Sequence, residues 1–425
     1  MSEKTIRAEC SFHAIGQGLF YSCILRSQYN CFSCVYDCGS KTNINILYSE
    51  IDKFIDMLPK SRDNNKKKCL DLLVLSHLDY DHINGLEYLL QKLHIETIIL
   101  PYLTPEELLV LFANSNDSSA FIQSFYSHSV NILLAYDIRN IILLNEDDIK
   151  RNENDSSENT PPQKKKILND KEYINANEIS NVIIEAENFD EKKIGDSTLI
   201  KIQSKSAIIS TDFFAWKFEF FNVSINKENL MKFFDNIQKF LNDNNIESIR
   251  DITSNYQYIK LFRRTYVSNN SENYEKIWEN FNSTSIIMCH FPTTTEAILI
   301  GEVPHDIYNA CYLLRENNIK KITTLLTGDT EINLKEYHLN KFTYKDYSFD
   351  IGVLSVPHHG SKKNWNVSLW IDELHSLYYV ISYGTNNTYG HPSYDVVMDI
   401  NRSHKILKLV NENKEFAYTI IAKYQ

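Results

Sequence analysis

The stretch Cys69-Leu-Asp-Leu-Leu-Val-Leu-Ser-His-Leu-Asp-Tyr-Asp-His-Ile-Asn-Gly85 decides how the rest of the chain is read. Its first part, Cys69 to Ser76, is a nearly continuous apolar run of strand length, the pattern of a strand covered on both faces. Beyond it Ile83, Leu86, Leu89, Leu90 and Leu93 recur at helical spacing. Between strand and helix lies His77-Leu78-Asp79-Tyr80-Asp81-His82, an His-x-Asp-x-Asp-His pattern. A tight loop at the C-terminal end of a strand can turn such side chains toward one point, and imidazole with carboxylate is a donor set for zinc, manganese or iron. A helix cap would account for one aspartate, but not for two aspartates and two histidines.

Three later loops repeat the arrangement of an apolar strand running into polar donors. Leu325-Leu-Thr-Gly-Asp329 ends in an aspartate, Val353-Leu-Ser-Val-Pro-His358-His359-Gly360-Ser361 in two histidines, and the run from Ile381 in Tyr389-Gly-His391-Pro392. Five of the 13 histidines occupy these three loops and the first. Glycine is scarce, 11 in 425 residues, and eight of those glycines fall in short polar or histidine-containing loops after apolar runs.

The alternation of residues 11–37 predicts strands, with Gly16-Gln17-Gly18 as a turn and Phe32 to Asp37 as a strand entering Cys38-Gly39-Ser40. Further strands are expected at 181–187, 198–210, 214–224, 285–289, 322–327, 351–356 and 377–382, and helices at 46–58 and 227–241. Two groups of strands separated by helices point to an α/β protein in which they form two halves of one sandwich. The chain is read as a single domain, 1–425, with a polar insertion at 145–190 and a partly helical one at 226–280. The stretch 145–171 of the first is expected to be exposed and mobile.

Composition narrows the function classes. With 43% hydrophobic and 23% charged residues the chain has the make-up of a soluble globular protein. No apolar run approaches the roughly 18 to 20 residues needed to cross a bilayer, and Met1 to Arg7 has no signal-peptide core. Eight cysteines are expected to be reduced thiols, and the expected compartment is the cytoplasm. A net charge of −11 argues against a surface given over to nucleic acid, although a local basic groove or metal site could still receive an anion. Cys31-x-x-Cys34 with Cys38 lacks a second donor pair for structural zinc, His13 is expected in the core or behind the ligands, and the Lys66–Lys68 and Lys164–Lys166 runs read as solvated surface. Asp37 could orient a ligand loop or simply hold structure, and Ser361 could stabilise its loop or contact phosphate.

Taken in order, His13-Ala-Ile-Gly-Gln-Gly18, Tyr36-Asp-Cys-Gly-Ser40, Ser76 to Gly85, Asn282-Ser-Thr-Ser285, Leu326-Thr-Gly-Asp329, His358-His-Gly-Ser361 and Tyr389-Gly-His-Pro392 resemble the metallo-β-lactamase-fold hydrolase superfamily. The resemblance is to the branch of the hydrolase domain of the bacterial competence DNA-uptake channel protein and its free-standing relatives. It covers nearly the whole chain outside the insertions and implies a four-layer αββα sandwich with a metal site on one edge. It also implies two divalent metal ions, zinc or manganese. One lies near His77 and Asp79 and the other is held by Asp81 and His82, with Asp329 bridging, His358 ligating one of them, and His359 and His391 nearby. Most of the superfamily carries His where Asp79 stands and an acidic residue where Leu19 stands, and a separate third histidine is not assignable. Carboxylate in place of imidazole makes the site harder and admits manganese as well as zinc.

The expected activity is therefore a metal-dependent hydrolase using metal-bound hydroxide, on a phosphodiester in a nucleic acid or nucleotide, with Asp81 or Asp329 orienting the nucleophile and His391 available for proton transfer. Two alternatives stay open. One is amide, ester or thioester hydrolysis. The other is a partner-dependent subunit with a structural or regulated metal site, docking through the insertions, because free-standing relatives of this branch resemble components of bacterial antiphage defence operons. No membrane partner is expected.

Overall fold

The computed structural model describes residues 4–28, 30–60, 67–114, 119–145, 164–172, 179–203, 206–211, 214–222, 227–267, 285–294, 296–301, 322–332 and 351–424. It is an α/β protein with two large mixed sheets. The ten-stranded sheet runs, in spatial order, β14 (Glu296–Gly301), β19 (Phe416–Tyr424), β1 (Lys4–Phe12), β2 (Gly18–Arg26), β3 (Cys31–Ser40), β4 (Lys68–Val74), β5 (Leu93–Pro101), β6 (Asn140–Asn145), β10 (Ser197–Gln203) and β9 (Phe189–Ile194). The nine-stranded sheet runs β18 (Ile406–Val410), β17 (Tyr378–Ser382), β16 (Ile351–Ser355), β15 (Thr323–Leu326), β13 (Ile286–Pro292), β12 (Trp216–Asn222), β11 (Ser206–Thr211), β8 (Ile179–Ala186) and β7 (Lys164–Glu172). Neighbouring strands are parallel from β3 through β6 to β10 in the first sheet and from β15 to β18 in the second.

The apolar run of β4 is explained by what lies on each side of it. Leu70, Leu73 and Leu75 join a cluster with Leu47, Ile51 and Phe54 of α1 (Ile44–Met57) and with α3 (Leu86–Lys92), whereas Leu72 and Val74 join a cluster drawn from both sheets. Each such fully buried side chain contributes about 1.5–3 kcal/mol. The shared cluster holds Tyr21, Tyr36 and Ile142 from the first sheet and Trp216, Phe218, Met288 and Val380 from the second. Beyond the second sheet a third cluster packs Leu325, Leu354 and Tyr379 against Trp370 and against Val396 and Ile400 of Tyr394–Arg402, a helix.

Several elements depart from the sequence reading. The expected strand 198–210 is two strands in different sheets: Ile200 and Ile202 are buried in β10, then Ala207 and Ile209 in β11. The buried positions change parity between them, so one straight strand could not bury both pairs on one face. The run Lys164–Glu172, read as exposed and mobile, is edge strand β7 paired with β8, and Lys165 reaches Glu185. Lysines on an edge strand discourage pairing with another chain. Residues 146–163 of that stretch lie outside the described residues. Lys67 and Lys68 likewise do structural work, donating to Leu90 O (3.0 Å) and Ile55 O (2.7 Å) near the ends of α3 and α1.

The second insertion is helical where it is described. Ile237, Phe240 and Leu241 of Lys227–Asp243 and Ile252, Ile259 and Phe262 further on join the first sheet's helix-side cluster. The Arg263 guanidinium donates to Phe112 O and Ala113 O, near the end of the helix Pro105–Asn114. Among the described residues no helix is long and apolar enough to cross a membrane.

Candidate metal centre

The parallel strands all point their C-terminal ends to one edge, and the donor-rich loops leave from there. After β4 come His77 to His82, after β15 Asp329, after β16 His358 and His359, and after β17 the loop to His391. The contacts bring the donors of three of these loops together around Asp329. Its Oδ1 lies 3.4 Å from His82 Nε2 and 4.0 Å from His359 Nε2, and its Oδ2 lies 3.7 Å from His77 Nε2 and 3.6 Å from His358 Nε2. His359 Nε2 is also 3.6 Å from Asp81 Oδ2.

The far nitrogen of each imidazole is already committed. His77 Nδ1 lies 2.8 Å from Ser76 Oγ, His82 Nδ1 2.8 Å from Asp37 Oδ2, His358 Nδ1 2.9 Å from Asn364 Oδ1, and His359 Nδ1 2.8 Å from Ser382 O. Meanwhile the buried Nε2 atoms of His77, His82 and His359 have no hydrogen-bond partner. Leaving such atoms unsatisfied in the interior costs about 1–3 kcal/mol each. The spacing explains the arrangement: two donors each about 2.1 Å from a shared tetrahedral cation sit about 3.4 Å apart, too far for a hydrogen bond and close to the separations around Asp329. The residues present therefore fit divalent cations. The adjacent buried triads Asp37/His77/His82 and Asp81/His82/His359 could hold two metal ions. Within the first triad Asp37 already accepts from Ser76 N and Ser76 Oγ, both at 2.6 Å, besides its contact with His82, so its chemistry is that of a carboxylate orienting an imidazole.

Electrostatics follow from this packing. Burial alone would raise Asp329, but His358, His82 and His359 outweigh it and hold the carboxyl well below its ordinary range. Asp81 behaves likewise: burial opposes its charge, yet Lys41, at 2.9 Å from Oδ1, and His359 keep it low. For Asp79 the charges of Lys41 and His82 pull the same way but are outweighed. Burial, then the charge of Asp81, pushes it up to about 7. It occupies the N-cap position of the short helix Tyr80–Ile83 with extended backbone, but its side chain makes no capping bond. The helix-cap reading of this aspartate is thereby removed. His77 and His82, with ring centroids 4.0 Å apart, split: burial and then His82 push His77 well down, whereas for His82 the charges of Asp329 and Asp37 overcome burial and raise it.

The backbone is bent to serve this edge. Asp37, His358 and His359 adopt φ of 57°, 48° and 54°, a left-handed region that costs about 1–3 kcal/mol per non-glycine residue. Gly39 lets β3 touch the motif loop: a Cβ there would lie 2.5 Å from both Asp81 C and His82 N. Gly328, at φ +56°, would drive a Cβ to 2.8 Å from Ser285 Oγ, the hydroxyl that accepts from Asp329 N.

His391 lies at the rim, its ring 5.4 Å from that of His358 and its Nδ1 buried without a partner. Burial and then His358 bring it down to about 4. Ser361 is buried and closes the His358 turn through its N–H to His358 O (2.9 Å). Sequence reasoning missed Lys41 and Asn364. Lys41 follows the strand end Asp37 to Ser40, a positional signal that was available. Asn364 was not marked by any local pattern, yet it holds His358 and donates to the carbonyls of Asp329 and Thr330.

Two other donor groups look similar by residue type. Cys10, Cys23 and His290 lie together in the shared core, but Trp216 Nε1 donates to His290 Nδ1 (3.3 Å) and Tyr21 Oη lies 2.7 Å from Nε2, so neither ring nitrogen is left for a cation. His13 is buried on the helix side of the first sheet, 2.7 Å from Ser22 Oγ and stacked on Phe20; its Nδ1, 3.5 Å from Glu50 Oε2, also lacks a hydrogen-bond partner, but the Glu50 carboxylate facing it is paired with Lys53. Cys34 and Cys38 join clusters on opposite faces of the first sheet and do not form a zinc site together. No protein-family model matches this chain and no curated protein matches it, so the reading of the site rests on its own geometry.

Proposed function

We propose that the chain is a binuclear metal-dependent hydrolase with the four-layer αββα architecture of the metallo-β-lactamase fold, acting on a phosphodiester. One observation carries the reading: three buried imidazoles, each anchored through Nδ1, turn unpartnered Nε2 atoms toward the carboxylates of Asp329 and Asp81. His77 and His358 flank one oxygen of Asp329, and His82 and His359 the other, so Asp329 would bridge, with Asp81 completing the second position and Asp79 adding charge beside it. Zinc or manganese held there would activate a water and draw charge from an anionic ester oxygen.

The chain's own residues supply the rest. Asp37, Ser76, Asn364 and the Ser382 carbonyl fix the imidazole planes, which sets the direction of each donor before anything binds. Lys41 sets a cation beside Asp81 with 36% of its side chain exposed, which favours an anionic substrate over a neutral amide. His391 is unprotonated at neutral pH and stands at the rim, where it can accept a proton or donate an N–H to a departing oxygen.

The test is hydrolysis of bis-p-nitrophenyl phosphate by wild type and Asp329→Asn, each stripped with chelator and resupplied with manganese or zinc. Turnover restored by metal in wild type and absent in the variant is expected. Turnover of an anilide or thioester with none of the diester would reassign the bond cleaved. Diester turnover equal in both proteins would remove the site assignment.

A further inference from the structure

Two large aromatic rings are exposed among the described residues, and one of them, Tyr389, stands beside the metal centre. Tyr389 is 59% exposed and Tyr394 74%. Tyr389 is the better placed. Its ring lies within 15° of parallel to His391, centroids 6.2 Å apart, and Lys41 Nζ sits 5.6 Å from its centroid. One lysine thus links the exposed ring to Asp81 at the cluster.

The loop that carries the ring is braced. Asn387 Oδ1 accepts from the N–H groups of Tyr389 (3.1 Å) and His391 (3.2 Å), and its Nδ2 donates to Gly384 O (2.7 Å) and His391 O (2.6 Å). Gly384 N in turn donates to Gln17 Oε1 (3.2 Å), tying the loop to the turn before β2. A rigid loop that holds an aromatic side chain in water beside a cation has already met the ordering cost of stacking a planar ligand on it.

We propose that Tyr389 and Lys41 form a nucleoside-phosphate subsite: the base stacks on the Tyr389 and His391 rings, while its phosphate lies between Lys41 and the metal centre. An ammonium has three donors, and one contact with Asp81 leaves others for phosphate oxygens. The subsite rests on the phosphodiesterase reading and names its substrate class, a base-bearing phosphodiester, in place of a phospholipid or a simple alkyl diester.

The test is calorimetric binding to the metal-loaded full chain, with thymidine 5′-monophosphate and 2-deoxyribose 5-phosphate as probes. Wild type is expected to hold the nucleotide about tenfold tighter than the sugar phosphate, within the range for stacking one base on an aromatic side chain. Tyr389→Ala loses that preference, Tyr389→Trp and Tyr394→Ala keep it, and Lys41→Met weakens both probes alike. A single-stranded thymidine tetranucleotide separates the sources, binding more tightly than the mononucleotide if the ligand is a strand and equally if it is a free nucleotide or strand end. No preference in wild type, or a preference that survives Tyr389→Ala, overturns the subsite. Hydrolysis of thymidine 5′-p-nitrophenyl phosphate is read on the same proteins. A preserved preference without turnover counts against the hydrolase alone, and turnover without preference against the subsite alone.

Discussion

The edge cluster around Asp329 and the core cluster around His290 are built from overlapping residue types and are both buried, yet they are chemically opposite. At the edge, imidazole nitrogens face carboxylate oxygens at 3.4 to 4.0 Å with no bond between them, and three of those nitrogens have no hydrogen-bond partner. In the core, Trp216 and Tyr21 take both nitrogens of His290, Tyr21 continues to Tyr418 Oη at 2.9 Å, and Tyr418 to Thr324 Oγ1 at 2.6 Å. Burial pushes His290 down to about 3, so it is a neutral hydrogen-bonding ring at every ordinary pH. The difference shows that donor type is a poor guide to a metal site. Lone pairs that the fold leaves pointing at each other are the better one.

The comparison breaks first at Asp329. Asp329→Asn removes the charge between the two positions, and turnover should fall by at least about a thousandfold, the several kcal/mol a metal contributes. The steady-state rate measures this, with circular dichroism confirming the fold. His290→Ala should do the reverse: metal content and turnover per folded molecule hold, while stability drops by about 3 kcal/mol for the cavity and the orphaned Trp216 N–H, read from urea unfolding.

A third variant sharpens the contrast between carboxylates. Asp81 and Asp329 are held low by cationic and imidazole neighbours, whereas Glu219, buried in β12, is pushed up from its ordinary 4.5 to about 7 by burial, with Lys217 and the Cys289 thiol too weak to offset it. The folded chain therefore binds this proton more tightly than the unfolded chain, and stability falls as pH rises from about 4.5 to 7, with the full penalty present above 7. Glu219→Gln should stabilise the protein by about 2–3 kcal/mol at pH 8, with the gain fading toward pH 5. Thermal melts across that range would show it, and a gain independent of pH would contradict it. The smallest effect is expected behind the ligands. Asp37→Asn keeps one hydrogen bond to His82 but loses the charge, and should weaken metal binding by about 10- to 100-fold, as measured by competition with a chromogenic chelator.

Much of the site was legible because the chemistry is local. His77, Asp81 and His82 come from one loop, and Asp329, His358 and His359 each follow an apolar run that is a strand. The helices at 44–57 and 227–243 and strands β8, β12, β13, β15, β16 and β17 of the second sheet were visible in the same way, through their apolar runs and periodicity. What escaped depended on distant parts of the chain. The exchange of sheets between β10 and β11 turns on a parity change over four residues. The polar sequence of β7 is a strand because β8 lies beside it. Lys41 gains its role where the loops after β3 and β4 meet, and Asn364 where those after β15 and β16 meet, contacts between separate segments of the chain that local spacing does not encode.

The most direct measurement is metal stoichiometry by elemental mass spectrometry on wild type, Asp329→Asn and His290→Ala, purified in parallel and supplied with zinc and manganese. About two ions per chain are expected in wild type and His290→Ala, with at least one lost in Asp329→Asn. Equal metal in all three, or loss in His290→Ala with retention in Asp329→Asn, would contradict the claim that the lone pairs converging on Asp329 form the metal site.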